Sequence, residues 1–256
     1  MAFDLSSFDL VAWQWGLLAV CAVLVGIAKT GIPGFGILVV PLMAIAMGDR
    51  AKVSVGLLLP ILIFADVFAV IYHRHNVRWR HIGRLMPWAL AGIGAGAVLM
   101  GKINDVYLAR LMGLIVLAML GLRAWQDVKS RAQEQIHVPH HWAFAAAMGF
   151  TAGLTTMMAN AAGPVMILYL LAMRLPKTQF VGTAAWFFFF VNWTKVPLHV
   201  GLGNITAASL ALDVCLFVFV PLGALLGVIA LKKIPQKAFT VLIMLLTAAA
   251  ALKLIF

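Results

Sequence analysis

Lys29, Asp66, Asn192 and Lys195 are polar residues set in long apolar runs, and what they do there is the first question this chain poses. Lys29 closes one such run, Asp66 lies near the middle of another, and Asn192 and Lys195 share a third. A charge at the centre of a membrane helix costs about 2.5–3.5 kcal/mol on insertion scales, so such residues face a cavity or an opposite partner. Lys195 therefore either contacts a substrate or counter-ion, or pairs structurally with Asp66. Lys29 sits at the tip of its run, where it meets a ligand or carries its ammonium out to the cytoplasmic interface on a long stem. Asp66 either neutralises a lysine permanently or titrates as a proton carrier. His199, at the far end of the run that holds Lys195, either relays protons or rests at the interface.

Two breaks between apolar runs supply the other chemistry. They are Gly31-Ile32-Pro33-Gly34, followed closely by Gly36, and Asn160-Ala161-Ala162-Gly163. A glycine-punctuated break frees backbone N–H groups, and a helix N-terminus carries partial positive charge suited to anions. Gly31, Gly34, Gly36 and Gly163 are read as ligand-facing, the alternative being tight turns with close helix packing. Thr155, Thr156 and Thr183 offer hydroxyls near the second break, to a ligand or to the local backbone, and Asn160 and Asn192 add amide donors.

Several classes of function lack their residues. There is no HExxH helix, no catalytic carboxylate pair and no activated serine with histidine. There is no nucleotide-binding glycine loop. His137, His140 and His141 have loop spacing but no acid or cysteine to complete a metal site, and they read as a solvated linker. Cys21 and Cys215 stand alone as small apolar fillers. Neither an enzyme nor a cofactor is expected.

The elements that must position these residues are helices in lipid. Hydrophobic residues make up 64% of 256 residues and charged residues only 11%, with a mean hydropathy of +1.05. No water-soluble surface accommodates that composition. Apolar runs predict helices near Val11–Ala28, Phe35–Met47, Val53–Tyr72, Leu85–Met100, Val106–Trp125, Trp142–Met158, Pro164–Met173, Phe180–Val200, Ala207–Leu231 and Ala238–Phe256. Phe35–Met47 and Pro164–Met173 fall short of the ~20 residues that span ~30 Å of hydrocarbon. Each therefore forms, with the helix before it, a hairpin that re-enters or crosses.

The order of long, short, long, medium, long occurs twice, with residue-level matches. At an offset of 126, Gly56 meets Gly182, Phe64 meets Phe190, Asp66 meets Asn192 and His73 meets His199. At 131, Gly92, Gly96, Lys102 and Ile103 meet Gly223, Gly227, Lys233 and Ile234. The division that follows is 1–126, a cytoplasmic linker 127–141, and 142–256. Gly92-x-x-x-Gly96 and Gly223-x-x-x-Gly227 permit close helix contact.

Nineteen Lys+Arg stand against 8 Asp+Glu. Most of them fall in short loops, which suits anionic lipid rather than nucleic acid. The positive-inside rule puts 73–84, 123–131, 174–177 and 232–237 in the cytoplasm, and 49–52, 201–206 and both termini outside. The acidic segment from Met1 to Leu10 lacks the positive start of a secretory leader. An odd number of helices per half makes the repeats antiparallel, the plan of many secondary transporters.

The stretch from Gly26 through Lys29-Thr30-Gly31-Ile32-Pro33-Gly34-Phe35-Gly36 to Pro41, the segment from Gly149 to Gly163, and Gly182-Thr183 leading to Asn192 and Lys195 resemble the TauE/SafE family of sulfite exporters, over nearly the whole chain. The resemblance implies a multi-pass permease of the bacterial inner membrane, taking small sulfur-containing or carboxylate anions such as sulfite, thiosulfate or sulfoacetate. A secondary transporter coupled to protons is the leading expectation. A channel, an assembly factor without transport, or an intramembrane enzyme are the alternatives.

A reporter active only in the cytoplasm should work when fused after Arg80, Arg131 or Lys233 and fail after Asn104 or Gly203. Activity at Gly203 would overturn the antiparallel arrangement.

Overall fold

The computed structural model describes residues 8–29, 35–131, 142–233 and 236–256. Among them every long element is a helix and no strand occurs, as lipid demands of a chain whose backbone N–H and C=O groups must be satisfied internally. The helices are α1 (Ala12–Lys29), α2 (Phe35–Met47), α3 (Ala51–His73), α4 (Trp79–Lys102), α5 (Asp105–Arg131), α6 (Trp142–Ala159), α7 (Gly163–Ala172), α8 (Lys177–Gly201), α9 (Ala207–Phe217), α10 (Phe219–Lys233) and α11 (Gln236–Ile255).

Three boundaries differ from the sequence reading. The run Ala207–Leu231 is two helices meeting at 41°. Pro221 accounts for the break: it has no N–H to give the carbonyl of Phe217, four residues earlier, and its ring crowds that carbonyl. Helix α5 continues to Arg131, so Asp127 to Arg131 of the linker are helical, and 132–141 lie outside the described residues. Helix α4 begins at Trp79, which places Arg80 and Arg84 on its first turns rather than in a loop.

Five helices (α1, α3, α4, α5, α6) are long and apolar enough to cross a membrane, six if α9 and α10 form one bent span. The protein is a multi-pass membrane protein. Helix α8 has the length, 25 residues, and carries Asn192 and Lys195 within its apolar stretch. Helix α2, with 13 residues, rises about 20 Å, and α7, with 10, about 15 Å. Neither covers ~30 Å of hydrocarbon alone. Large apolar side chains such as Val98, Val214, Leu225 and Leu245 point outward, as they do on a surface wetted by lipid tails.

The halves are interlocked. Helix α4 packs along α6 and α1 along α10, while α3 lies against α8 and α5 against α11. Glycine sets the closest crossings. A Cβ on Gly153 would lie 2.0 Å from the carbonyl oxygen of Ala89, and one on Gly223 would lie 2.0 Å from that of Val23. In lipid, where apolar burial gives little drive between helices, such backbone approach is what association rests on.

Polar contacts tie the ends together in two sets. At one end Arg50 Nη2 donates to Phe8 O (3.0 Å) and Lys52 N to Asp105 Oδ1 (2.7 Å). At the other, Arg78 donates its backbone N–H to Thr183 Oγ1 (3.0 Å) and its Nε–H to Gln179 Oε1 (2.7 Å).

Gly153→Ala should lower stability by about 1–3 kcal/mol, the ordinary cost of overpacking. Gly94→Ala, where a Cβ meets nothing within 4 Å, should be neutral or slightly stabilising. Thermal unfolding of the two variants in one detergent measures the difference, and equal midpoints would mean the α4–α6 crossing is looser than described.

Candidate functional site

Helix α6 ends at Ala159 because Asn160 takes a left-handed conformation, φ 50°. After glycine, asparagine adopts that conformation most readily at a helix end. Asn160 N then donates back to Thr156 O (3.0 Å), and its side chain is left free to work at a distance. Asn160 Nδ2 donates to Val55 O on α3 (3.1 Å). Its Oδ1 accepts from Lys195 Nζ at 2.6 Å.

Lys195 is fully buried on α8. Its ammonium has three acceptors: Asn160 Oδ1, Thr156 Oγ1 (3.0 Å) and Thr156 O (3.1 Å). That is one for each N–H of a lysine ammonium. The pairing with Asp66 weighed from the sequence is made by Lys29 instead. Lys29 Nζ forms an ion pair with Asp66 Oδ1 and lies 5.4 Å from the centre of the Phe188 ring. The other carboxylate oxygen of Asp66 accepts from Asn192 Nδ2 at 2.6 Å. Asp66 and Asn192 are the positions matched at the 126-residue offset, and here they bond one another. The cluster holds two lysines against one carboxylate.

Beside it lies a cavity of about 280 Å³, walled by residues of seven helices. Lys29, Gly36, Thr156, Asn160, Gly163 and Asn192 reach its wall. A Cβ on Gly163 would point into open space. Ala162, the residue capping α7, makes no side-chain capping bond, and Pro164 occupies the first turn, so the free N–H groups at that end are backbone donors without a side-chain acceptor. Lys195 and Asp66 stand behind this wall and hold the side chains that form it.

The remaining sequence candidates are used elsewhere. Thr155 Oγ1 donates to Thr151 O (2.8 Å) within its own helix, which is the local backbone alternative. Thr183 accepts from the backbone of Arg78 and is fully buried. His199 is buried rather than interfacial, with Nδ1 3.2 Å from Asn204 Nδ2. Gly31 and Gly34 lie outside the described residues.

One wall residue escapes the sequence reading, and a second comes from an aromatic run whose sequence suits either apolar packing or the wall of a pathway. Arg123, counted there with a cytoplasmic loop, lies on α5 and lines the cavity. Among the described residues it pairs with Asp127 at 3.4 Å, and its buried Nε meets no acceptor. Phe188, part of the aromatic run from Trp186 to Phe190, closes the wall near Lys29. The signal for Arg123 was the length of α5: 27 residues exceed one span, so its last turns can still face the interior.

A family model described as sulfite exporter TauE/SafE matches residues 18–254. No curated protein and no solved structure matches.

The ion pair has a simple thermodynamic test. Breaking a buried pair from one side costs about 3–5 kcal/mol, whereas replacing both partners is often neutral. With a quarter of the Lys29 side chain exposed, Asp66→Asn and Lys29→Met should each lose about 3 kcal/mol, and the double variant should recover most of it. Simple additivity of the two losses in thermal unfolding would mean the pair contributes nothing specific.

Proposed function

Because the chain belongs to the sulfite exporter TauE/SafE family, whose members are membrane transporters, we propose that it exports a small sulfur-containing oxyanion, such as sulfite, thiosulfate or sulfoacetate, across the bacterial cytoplasmic membrane, driven by coupled protons. The observation that carries the reading is the uncompensated positive charge beside the cavity. Lys29 takes the one carboxylate of the cluster, while the Lys195 ammonium meets only neutral oxygens of Asn160 and Thr156, and burying an unmatched charge costs several kcal/mol. An anion in the cavity supplies the missing negative charge.

The donors around the cavity suit an oxyanion. Arg123 offers the unused Nε–H, Asn192 and Asn160 bring side-chain amides to the wall, and α7 directs its N-terminal backbone toward the same space. Arginine fits planar and tetrahedral oxyanions because its N–H groups form a rigid fork. A cavity of about 280 Å³ falls at the low end of the roughly 300–1,000 Å³ typical for organic ligands, which favours a few-atom substrate. Asp66, with both oxygens engaged, serves in this reading as a fixed counter-charge. The two halves act as inverted repeats with both termini outside, and the substrate sits between them near the midplane.

The test is flux of radiolabelled sulfite, thiosulfate and sulfoacetate in proteoliposomes, with and without a pH gradient. Flux of none of them above protein-free vesicles, from protein that is folded by thermal unfolding, would sink the reading. In the transporting protein, Arg123→Gln should weaken anion binding at least tenfold, about 1.4 kcal/mol, and Lys195→Ala should do the same by releasing Asn160 and Thr156. Gly163→Val should block flux by filling the cavity. Unchanged affinity in folded Arg123→Gln protein would remove that guanidinium from the site.

A further inference from the structure

A second acid lies within the helices and has a different environment from Asp66. Asp213, on α9, is completely buried, and neither carboxyl oxygen has a hydrogen-bond partner. A carboxylate without partner or water costs so much in a low-dielectric interior that the group takes up a proton instead. Asp66, by contrast, has a partner on each oxygen, Lys29 on one and Asn192 on the other. One intramembrane acid is thus saturated with donors, and the other has none.

The helices around Asp213 bring it no charge. Helix α9 packs on α3, α1 and α10. Their titratable and charged residues are Lys52, Asp66, Tyr72 and His73 on α3, Cys21 and Lys29 on α1, and Lys232 and Lys233 at the far end of α10; Lys195 and His199 lie on the preceding α8, and Cys215 on α9 itself. Among the described side chains none comes within ion-pair distance of Asp213.

Its helix is sharply bounded at both ends. The start of α9 is fixed by a reciprocal cap, with Ser209 N donating to Thr206 Oγ1 (3.2 Å) and Thr206 N to Ser209 Oγ (2.9 Å). Its end, one turn beyond Asp213, is the 41° break before Pro221. Phe217, at that break, stacks on Phe64 of α3 with ring centres 4.5 Å apart and planes 7° apart. Phe64 is two residues from Asp66. A rotation at the break therefore reaches the helix that carries the anion-site carboxylate.

We propose that Asp213 is the proton-binding group of the transport cycle, occluded in the conformation seen here. The proposal rests on the transporter reading above and adds to it the site of coupling. When α9 turns Asp213 toward water on one side, its O–H bond breaks, the proton passes to water, and the carboxylate remains hydrated. On the other side the carboxylate recovers a proton and the group returns to its dry position. A buried acid with no hydrogen-bond partner in one state has its partner, water, in the other.

Two measurements on the full-length protein decide it, using the near-isosteric Asp213→Asn and, should that variant fold poorly, Asp213→Leu. Infrared spectroscopy of the folded parent at neutral pH should show the C=O band of a protonated carboxyl that is lost in the variant; no such band, or a band that survives the substitution, overturns the assignment. In proteoliposomes the variant should keep exchange of labelled for unlabelled anion at equal pH and lose the acceleration given by a pH gradient. Gradient-driven flux equal to the parent's overturns the proposal, as does a sodium gradient at constant pH that drives the parent but not the variant. Absence of anion flux in the parent would instead strike the transport reading, while the infrared band still reports on Asp213 by itself.

Discussion

The walls of the cavity are arranged about the carboxylate of Asp66, which takes an ammonium from α1 on one oxygen and an amide from α8 on the other. Three helices from two halves of the chain are held at one point by bonds that lipid cannot replace. In each half a lysine ties the end of the first helix to the long helix that follows. Lys29 does so from the helix end toward α3, and Lys195 from α8 toward Asn160. The donor has changed sides between the halves while the link has stayed. Both links place neutral and cationic donors around one cavity, and in the proposed function these are the groups that meet the anion.

Around this polar centre the helices are brought together by the absence of side chains. Gly153 against Ala89 and Gly223 against Val23 let backbones approach to distances a Cβ would forbid. Dispersion between such close surfaces and the ion pair at the centre do complementary work, since the first is spread over whole helices and carries no direction, while the second sets which residues meet. The close approach of Gly56 to Asn204 and of Gly182 to Asn76 repeats the device at the two ends of the α3–α8 pair, and the 126-residue offset relates the two glycines.

Much of this was legible in the chain because lipid imposes simple rules. Apolar run lengths gave the helices within a few residues, and the cost of intramembrane charge picked out Lys29, Asp66 and Lys195. Partners were harder to read: a run of residues shows that Asp66 needs a cation, not which lysine reaches it, and that depends on how α1 and α8 cross α3. Arg123 was hidden because its helix runs past the apolar stretch that seemed to end it. The break in Ala207–Leu231 was readable in hindsight from Pro221, yet proline is common in membrane helices and often bends them without dividing them. Asp213 stands in an apolar run as plainly as Asp66; its lack of partners is a property of the packed molecule alone.

The interlocking of the halves has a consequence for biogenesis. Helix α1 finds its closest partner, at Gly26 and Val220, only after about 190 more residues have been made, roughly 10–40 s at ~5–20 residues per second. Through that interval α1 rests in the bilayer or the insertion machinery with its small-residue face unmatched and Lys29 dependent on α3 alone for a counter-charge. Assembly of the first half is thus provisional until the end of synthesis. A ribosome stalled late in translation, before α10 leaves it, holds a protein whose early helices are inserted and whose α1–α10 crossing is still unmade.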